Sequence, residues 1–212
     1  MNTLEYLRDK YALDLSSPSP IEIIGVGRLD FVRWLRELDF KVGVEVGVEK
    51  GLFSHVICDM NTQVKLYGVD PYLKYHEYTE DYTQSLMDDI WLEVQNRMKS
   101  SIGHGQYIPI RKKSMDAVAD FKDESLDFVY IDANHEGNFP YEDIVEWSKK
   151  VKKGGMVAGH DFVRVKNLDF TVKDAVEKYT KEYNVNHWFV LGRYKKHTGE
   201  VRDRSRSWMF VK

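Results

Sequence analysis

The chain has 212 residues, 42% hydrophobic and 31% charged, with a formal net charge of −3. That is the make-up of one globular domain large enough to bury a continuous core, and its charge balance gives no whole-protein argument for nucleic-acid binding. A single cysteine excludes an internal disulfide framework, the charged amphipathic start is no signal peptide, and no apolar run is long enough to cross a bilayer; a cytoplasmic protein without a membrane partner is expected.

Residues 3–12 read as a short helix, followed by the punctuating loop Ser16–Pro20. A second helix, 29–38, places Phe31, Trp34, Leu35 and Leu38 on one stripe, suited to packing across a sheet or covering a ligand. From Lys41 the chain alternates: strand 41–46, helix 51–60, strand 65–70, helix 80–99, strand 107–110, helix 114–121, strand 126–131, helix 139–151, strand 155–160. Cys58 falls in the apolar pattern of the first of these helices with Phe53, Val56 and Ile57, so a packed core thiol is expected. The strands are short and β-branched, as strands buried on both faces are, and strict β–α alternation implies an α/β, Rossmann-like parallel sheet with helices on both faces. After a last helix at 172–183, the runs 187–192 and 207–212 follow without an intervening helix and read as an antiparallel hairpin closing the sheet edge, for a total of seven strands. As an exposed edge, 207–212 would also offer a pairing surface for a homo-oligomer.

Three constellations carry chemistry. In the first, the run VGVEVGVEKG (42–51) is a strand entering a glycine turn, and Asp70 ends the next strand, nineteen positions past Gly51. A strand, a Gly-rich turn opening a helix, and an acid closing the following strand is how α/β proteins hold a nucleoside. The spacing of Gly43, Gly47 and Gly51 is not the dinucleotide pattern, and Glu45 shifts the reading toward S-adenosylmethionine (SAM), which has an amino-acid end and a sulfonium in place of a pyrophosphate. Glu45 is expected at the amino-acid end, directly or through water, with the Gly47 backbone passing beneath the ligand. Asp70 is expected to take the ribose diol, since a carboxylate accepts two hydroxyl donors. Val48, Gly51 and Pro71 complete the cradle, and Ser114 and Met115, after the third strand of the alternation, fall where adenine would lie.

The second constellation is LDFVYIDANHEG (126–137), whose apolar strand delivers Asp132 to the same edge with His135 three residues on. An unpaired buried carboxylate is costly, so Asp132 should meet a ligand, a metal or a backbone donor. The third, KKGGMVAGHDF (152–162), ends the neighbouring strand on His160 and Asp161. Adjacent parallel strands end side by side, so these two carboxylates and two imidazoles converge with the ligand types for a divalent cation: Mg²⁺ or Mn²⁺ by the carboxylates, with Zn²⁺ or Fe²⁺ left open by the imidazoles.

Together VEVGVEKG, YGVDP, FVYIDANHEG and KKGGMVAGHDF resemble the class I SAM-dependent methyltransferases, in particular the methyltransferase domain 24 group, over roughly residues 40–162. The group includes metal-dependent sugar O-methyltransferases, and cephalosporin-hydroxylase-like proteins share the pattern. The resemblance implies a helical extension over 1–39 and a methyltransferase domain over 40–212. It implies a metal held by Asp132 and Asp161, with His135 as general base. This chain departs from many members by carrying His160 where they have a second acid, which argues against Mg²⁺ specifically; Asp132, His160 and Asp161 are its candidate metal ligands. An O-methyltransferase then follows, acting on a hydroxyl of a small molecule such as a sugar. Methyl transfer to an alcohol needs deprotonation, which an imidazole with an ordinary pKa of about 6.5, or a metal on the oxygen, supplies.

The segment 71–84, with Tyr72, Tyr75, His76, Tyr78 and Tyr82, is the expected acceptor region and lid. The basic tract 193–206 would receive a phosphorylated or nucleotide-linked acceptor, or nucleic acid in a second reading. A third reading is a SAM-fold protein with hydroxylase-like or non-catalytic function.

Overall fold

A computed structural model describes residues 2–74, 83–135, 137–164, 169–192 and 205–212. The described elements run α1 (Thr3–Tyr11), β1 (Ile21–Ile23), α2 (Arg28–Glu37), β2 (Val42–Val46), α3 (Leu52–Met60), β3 (Lys65–Val69), α4 (Gln84–Arg97), α5 (Lys99–Gly103), β4 (Tyr107–Ile110), α6 (Ser114–Val118), β5 (Leu126–Ile131), α7 (Phe139–Lys150), β6 (Val151–Gly159), α8 (Val172–Glu182), β7 (Trp188–Leu191) and β8 (Ser207–Val211). The expected alternation is present, in an α/β Rossmann-like sheet that is mostly parallel. It has eight described strands rather than seven, in the order β1-β7-β8-β6-β5-β2-β3-β4. The additional strand, β1, pairs parallel with β7 through Ile21–Phe189, Glu22–Val190 and Ile23–Leu191. Three residues, IEI, are too short to show a period.

The C-terminal pair is antiparallel as expected, but β8 does not close the edge. It lies between β6 and β7 and is antiparallel to both. The expectation that 207–212 is an exposed edge strand available to a second subunit is therefore corrected. The physical reason lies in its side chains: Met209 packs on one face of the sheet while Trp208 and Phe210 pack on the other. The sheet edges are β1 and β4, and β4 carries Pro109, a residue that edge strands tolerate.

Strand side chains alternate between two cores. Phe128 and Tyr130 of β5 join Leu7 of α1, Phe31 and Trp34 of α2, Ile57 and Cys58 of α3 and Val94 of α4 on one face. Val129 and Ile131 join Ala117 of α6, Ile144 and Trp147 of α7 and Val176 of α8 on the other. Cys58 is thus a core residue, as its helical spacing predicts, and burial pushes its thiol up to about 12.

What positions the site is the register. Val46 of β2 is level with Val69 of β3 and Ile131 of β5, Val69 with Ile110 of β4, and Ile131 with Gly159 of β6. These five strands therefore end on one row. The parallel ladder continues one residue further: the Gly47 N–H donates to Val69 O (2.9 Å), Asp70 to Ile110 O (3.1 Å), Asp132 to Val46 O (2.8 Å) and His160 to Ile131 O (3.0 Å). The chain winds outward from β2 through β3 to β4 on one side, and from β5 to β6 on the other. The β2–β5 junction is the switch point at whose carboxyl end such sheets bind ligands.

Candidate active site

A cavity of about 960 Å³ opens over that row, within the usual range for a small-molecule site. Every site residue expected from the sequence except Gly51 lines it: Glu45, Gly47, Val48, Asp70 and Pro71, then Ser114 and Met115, then Asp132, His135, His160 and Asp161. Gly51 instead begins α3 with φ of 68°, its N–H donating to Val48 O. Of the expected acceptor segment, Tyr72, Leu73 and Lys74 are described; Tyr75, His76, Tyr78 and Tyr82 lie outside the described residues, as does the basic tract up to Arg204. At the end of that tract, Arg206 is paired with Glu22 at 2.9 Å.

Glu45 projects from β2 into the core between α3 and the sheet and is 2% exposed. Its carboxyl is hydrogen-bonded to the Ser54 hydroxyl of α3. Burial pushes it up to about 8; the Ser54 bond opposes this, the charges of Asp132 and Asp70 reinforce it, and Arg28 opposes it. A carboxyl so placed is largely protonated at neutral pH and holds ionisation in reserve for a cationic ligand.

Gly47 is needed for close packing. Its φ is +87°, and a Cβ there would lie 2.1 Å from the Asp132 carbonyl oxygen. The turn after β2 thus rests directly on the backbone that carries Asp132. The Asp70 carboxylate holds the same turn: Oδ2 accepts from the N–H groups of Val48 and Glu49 (both 3.0 Å) and Oδ1 from Tyr72 (2.9 Å). Burial raises its pKa and those three donors lower it, with a net upward shift. Asp70 therefore shapes the cradle from beneath, and a carboxylate with three N–H partners retains acceptor capacity for a further donor.

At the β4 end, the Ser114 hydroxyl donates to Asp143 of α7 and accepts from Trp147 Nε1 at 2.8 Å. Asp143 is buried, and burial pushes it up to about 7 against the Ser114 bond. Met115 is 36% exposed and Phe139 49%, and both line the cavity.

At the β5–β6 end, Asp132, His135 and Asp161 each place one potential ligand atom within 4.8 Å of the others. His135 Nε2 lies 3.4 Å from Asp132 Oδ1 and 3.3 Å from Asp161 Oδ2. His160 Nδ1 lies 3.4 Å from Asp161 Oδ1 and 3.9 Å from Asp132 Oδ2. His160 thus backs the two carboxylates, while His135 stands between them as the third donor in the tight group. Burial would raise Asp161, but hydrogen bonds from His160 and Ser205 and the charges of both imidazoles hold it well below the ordinary carboxylate range. Burial would lower His160, but the bond to Asp161 and the charges of Asp132 and Asp161 leave it above its ordinary value. Two carboxylates and an imidazole fit a hard or borderline divalent cation, and this donor set suits Mn²⁺, Fe²⁺ or Zn²⁺ as well as Mg²⁺.

Sequence reasoning missed Arg28, at the first turn of α2. Its Nη1 is 3.8 Å from Asp132 Oδ2, and its guanidinium lies over the Phe53 ring, 5.3 Å from the centroid. It missed Asp143 as well. Arg28 follows the Gly25–Val26–Gly27 turn between β1 and α2, a pattern hidden because β1 is too short to read as a strand, and Asp143 lies inside α7 where no strand-end pattern marks it.

A parallel switch-point sheet with this cradle is that of the class I SAM-dependent methyltransferases. Residues 44–162, more than half of the chain, match the family described as "Methyltransferase domain", in its domain 24 group; the protein belongs to that family and is a SAM-dependent methyltransferase. Among curated protein sequences, none matches it significantly. Solved structures share the fold. A candidate caffeoyl-CoA O-methyltransferase from Staphylococcus aureus is 13% identical, with 99% of this chain and 90% of that one covered and a TM-score of 0.58. The O-methyltransferase TomG from Streptomyces achromogenes, involved in tomaymycin synthesis and solved with SAM, is 11% identical, with coverages of 100% and 90% and a TM-score of 0.58. An O-methyltransferase family protein from Burkholderia thailandensis is 10% identical over 86% of this chain and 54% of its own length, with a TM-score of 0.55. Among the described residues no helix is long and apolar enough to cross a membrane.

Proposed function

We propose that this methyltransferase acts on the oxygen of a hydroxyl group of a small molecule, a sugar or sugar-like polyol, with assistance from a divalent cation. The observation that carries the reading is that one cavity joins the Glu45–Gly47–Asp70 cradle to the Asp132–His135–Asp161 cluster. An alcohol acceptor needs help in losing its proton, and this acid–imidazole group can supply it. The O-methyltransferase neighbours agree with this choice.

SAM, when bound, supplies a methyl group on a sulfonium that needs no further activation. A divalent cation held by Asp132 and Asp161 would supply Lewis acidity at the acceptor oxygen, with His135 Nε2 left as the proton acceptor. The chain's own residues position and deprotonate. The Gly47 turn and Asp70 set the floor beneath the nucleoside, Glu45 faces its amino-acid end, and Ser114, Met115 and Phe139 bound the adenine end. His135 Nε2, between two carboxylates, accepts the acceptor's hydroxyl proton, and those carboxylates stabilise the imidazolium that results. Asp161, held ionised by its imidazole neighbours, keeps its charge for that role.

The test is methyl transfer from labelled SAM to a panel of sugars, polyols and nucleotide sugars, with Mg²⁺, Mn²⁺ or a chelator. Turnover of hydroxylated acceptors that falls roughly 10²- to 10⁴-fold in His135→Ala supports the reading. Transfer confined to amines or to RNA would overturn the acceptor class, and undiminished turnover under chelation would remove the cation.

A further inference from the structure

The acid-rich centre of the cavity poses a problem for the donor. The amino-acid end of SAM carries a carboxylate as well as an ammonium, and the strand ends around it present Glu45, Asp70 and Asp132. A further carboxylate brought there needs a cation, and the cavity lining offers Arg28, Lys50, Lys74 and Lys113. Asp70 (after β3) and Ser114 (after β4) lie on one side of the Gly47 turn, and Asp132 (after β5) on the other. With the nucleoside over β3 and β4, the amino-acid end falls toward β2 and β5. Lys113 flanks Ser114 beyond β4, at the opposite end. Arg28 reaches the β2–β5 end from α2: it is 3.8 Å from Asp132, rests on Phe53 of α3, and its charge is felt at Glu45.

We propose that Arg28 is the carboxylate-binding residue for the amino-acid end of SAM, an assignment that rests on the methyl-donor reading of this cavity. The 3.8 Å separation from Asp132 is a charge contact rather than a hydrogen bond, and it draws the guanidinium toward the β5 end of the cavity. Its planar fork matches a carboxylate, and Phe53 beneath the plane restrains it. Arg28 precedes the residues that match the family, so the leading segment contributes a ligand contact that the strand-end motifs do not contain. It would distinguish SAM from adenosine-containing molecules that lack the amino-acid end.

The experiment is calorimetric titration of the full chain with SAM, with decarboxylated SAM and with 5′-methylthioadenosine, in wild type, Arg28→Met and Arg28→Lys, with circular dichroism to show that each variant folds. The expected result is a roughly 10- to 100-fold weaker affinity of Arg28→Met for SAM, with less than about a 2-fold change for the two ligands that lack the carboxylate, and a smaller SAM loss in Arg28→Lys. Equal losses for all three ligands, or no loss for SAM, would overturn the assignment while leaving the donor reading intact. Absence of binding of any of the three to wild type would overturn the donor reading, and the assignment with it.

Discussion

Replacing Glu45 by Gln isolates the electrostatic cost built into the cradle. Burial, opposed by the Ser54 hydrogen bond and reinforced by the charges of Asp132 and Asp70, raises this carboxyl from 4.5 to about 8. The sign follows from linkage: above pH 4.5 the unfolded chain releases a proton that the folded chain keeps, so rising pH lowers stability until the folded carboxyl itself ionises near 8. A shift of that size corresponds to about 5 kcal/mol at about 1.4 kcal/mol per pH unit, of which about 3–4 kcal/mol falls between roughly pH 5 and 8. The amide of Gln still accepts from Ser54 but does not titrate. Urea unfolding of wild type and Glu45→Gln at several pH values in that range, without ligand, measures the difference directly. The stability of the wild type relative to the variant should fall by about 3–4 kcal/mol over the range; any constant offset from the altered hydrogen bond drops out. Asp143, pushed up to about 7 by burial, gives both proteins a slope of the same sign, which also cancels in the comparison. Parallel profiles, whose separation changes by less than about 0.5 kcal/mol over the range, would refute the reasoning, because they would mean that Glu45 titrates alike in the folded and unfolded chains.

Asp70→Ala leaves the Val48, Glu49 and Tyr72 N–H groups without their acceptor, and should destabilise the chain by roughly 2–4 kcal/mol and abolish measurable SAM binding; unchanged calorimetric affinity would contradict its place beneath the cradle. Gly47→Ala sets a Cβ 2.1 Å from the Asp132 carbonyl at φ of +87°, so a loss of about 2 kcal/mol or more in urea unfolding is expected, with methyl transfer reduced along with it. Cys58, buried at 2% exposure with its thiol pushed up to about 12, should resist a disulfide reagent in the native protein and react at once in urea; rapid native labelling would contradict its core placement.

Much of this architecture is legible in the sequence because it follows from local burial. The apolar runs at 42–46, 65–69 and 126–131 are interior strands of the sheet, and the residues that end them emerge on one edge because parallel strands share a register. Glu45, Asp70, Asp132 and Asp161 stand out because charged groups at the ends of apolar runs need partners. Other features depend on contacts between distant parts of the chain. Strand β1 is three residues with no period of its own and exists because β7 offers it a ladder. The insertion of β8 between β6 and β7 is a choice among pairings equally open to an apolar run. That His135 stands between the two aspartates and His160 behind them depends on the path of the loop after β5 and on the backbone at Asp161, which has a φ of 52°. Arg28 reaches Asp132 only because α2 packs over the same face of the sheet as α3. Amino-acid pattern therefore determined which residues had to leave the strand ends carrying charge, since burial acts on each segment alone. Which of those charges meet, and which residue from the leading helices joins them, was decided by packing, which brings segments remote in sequence within a few ångströms.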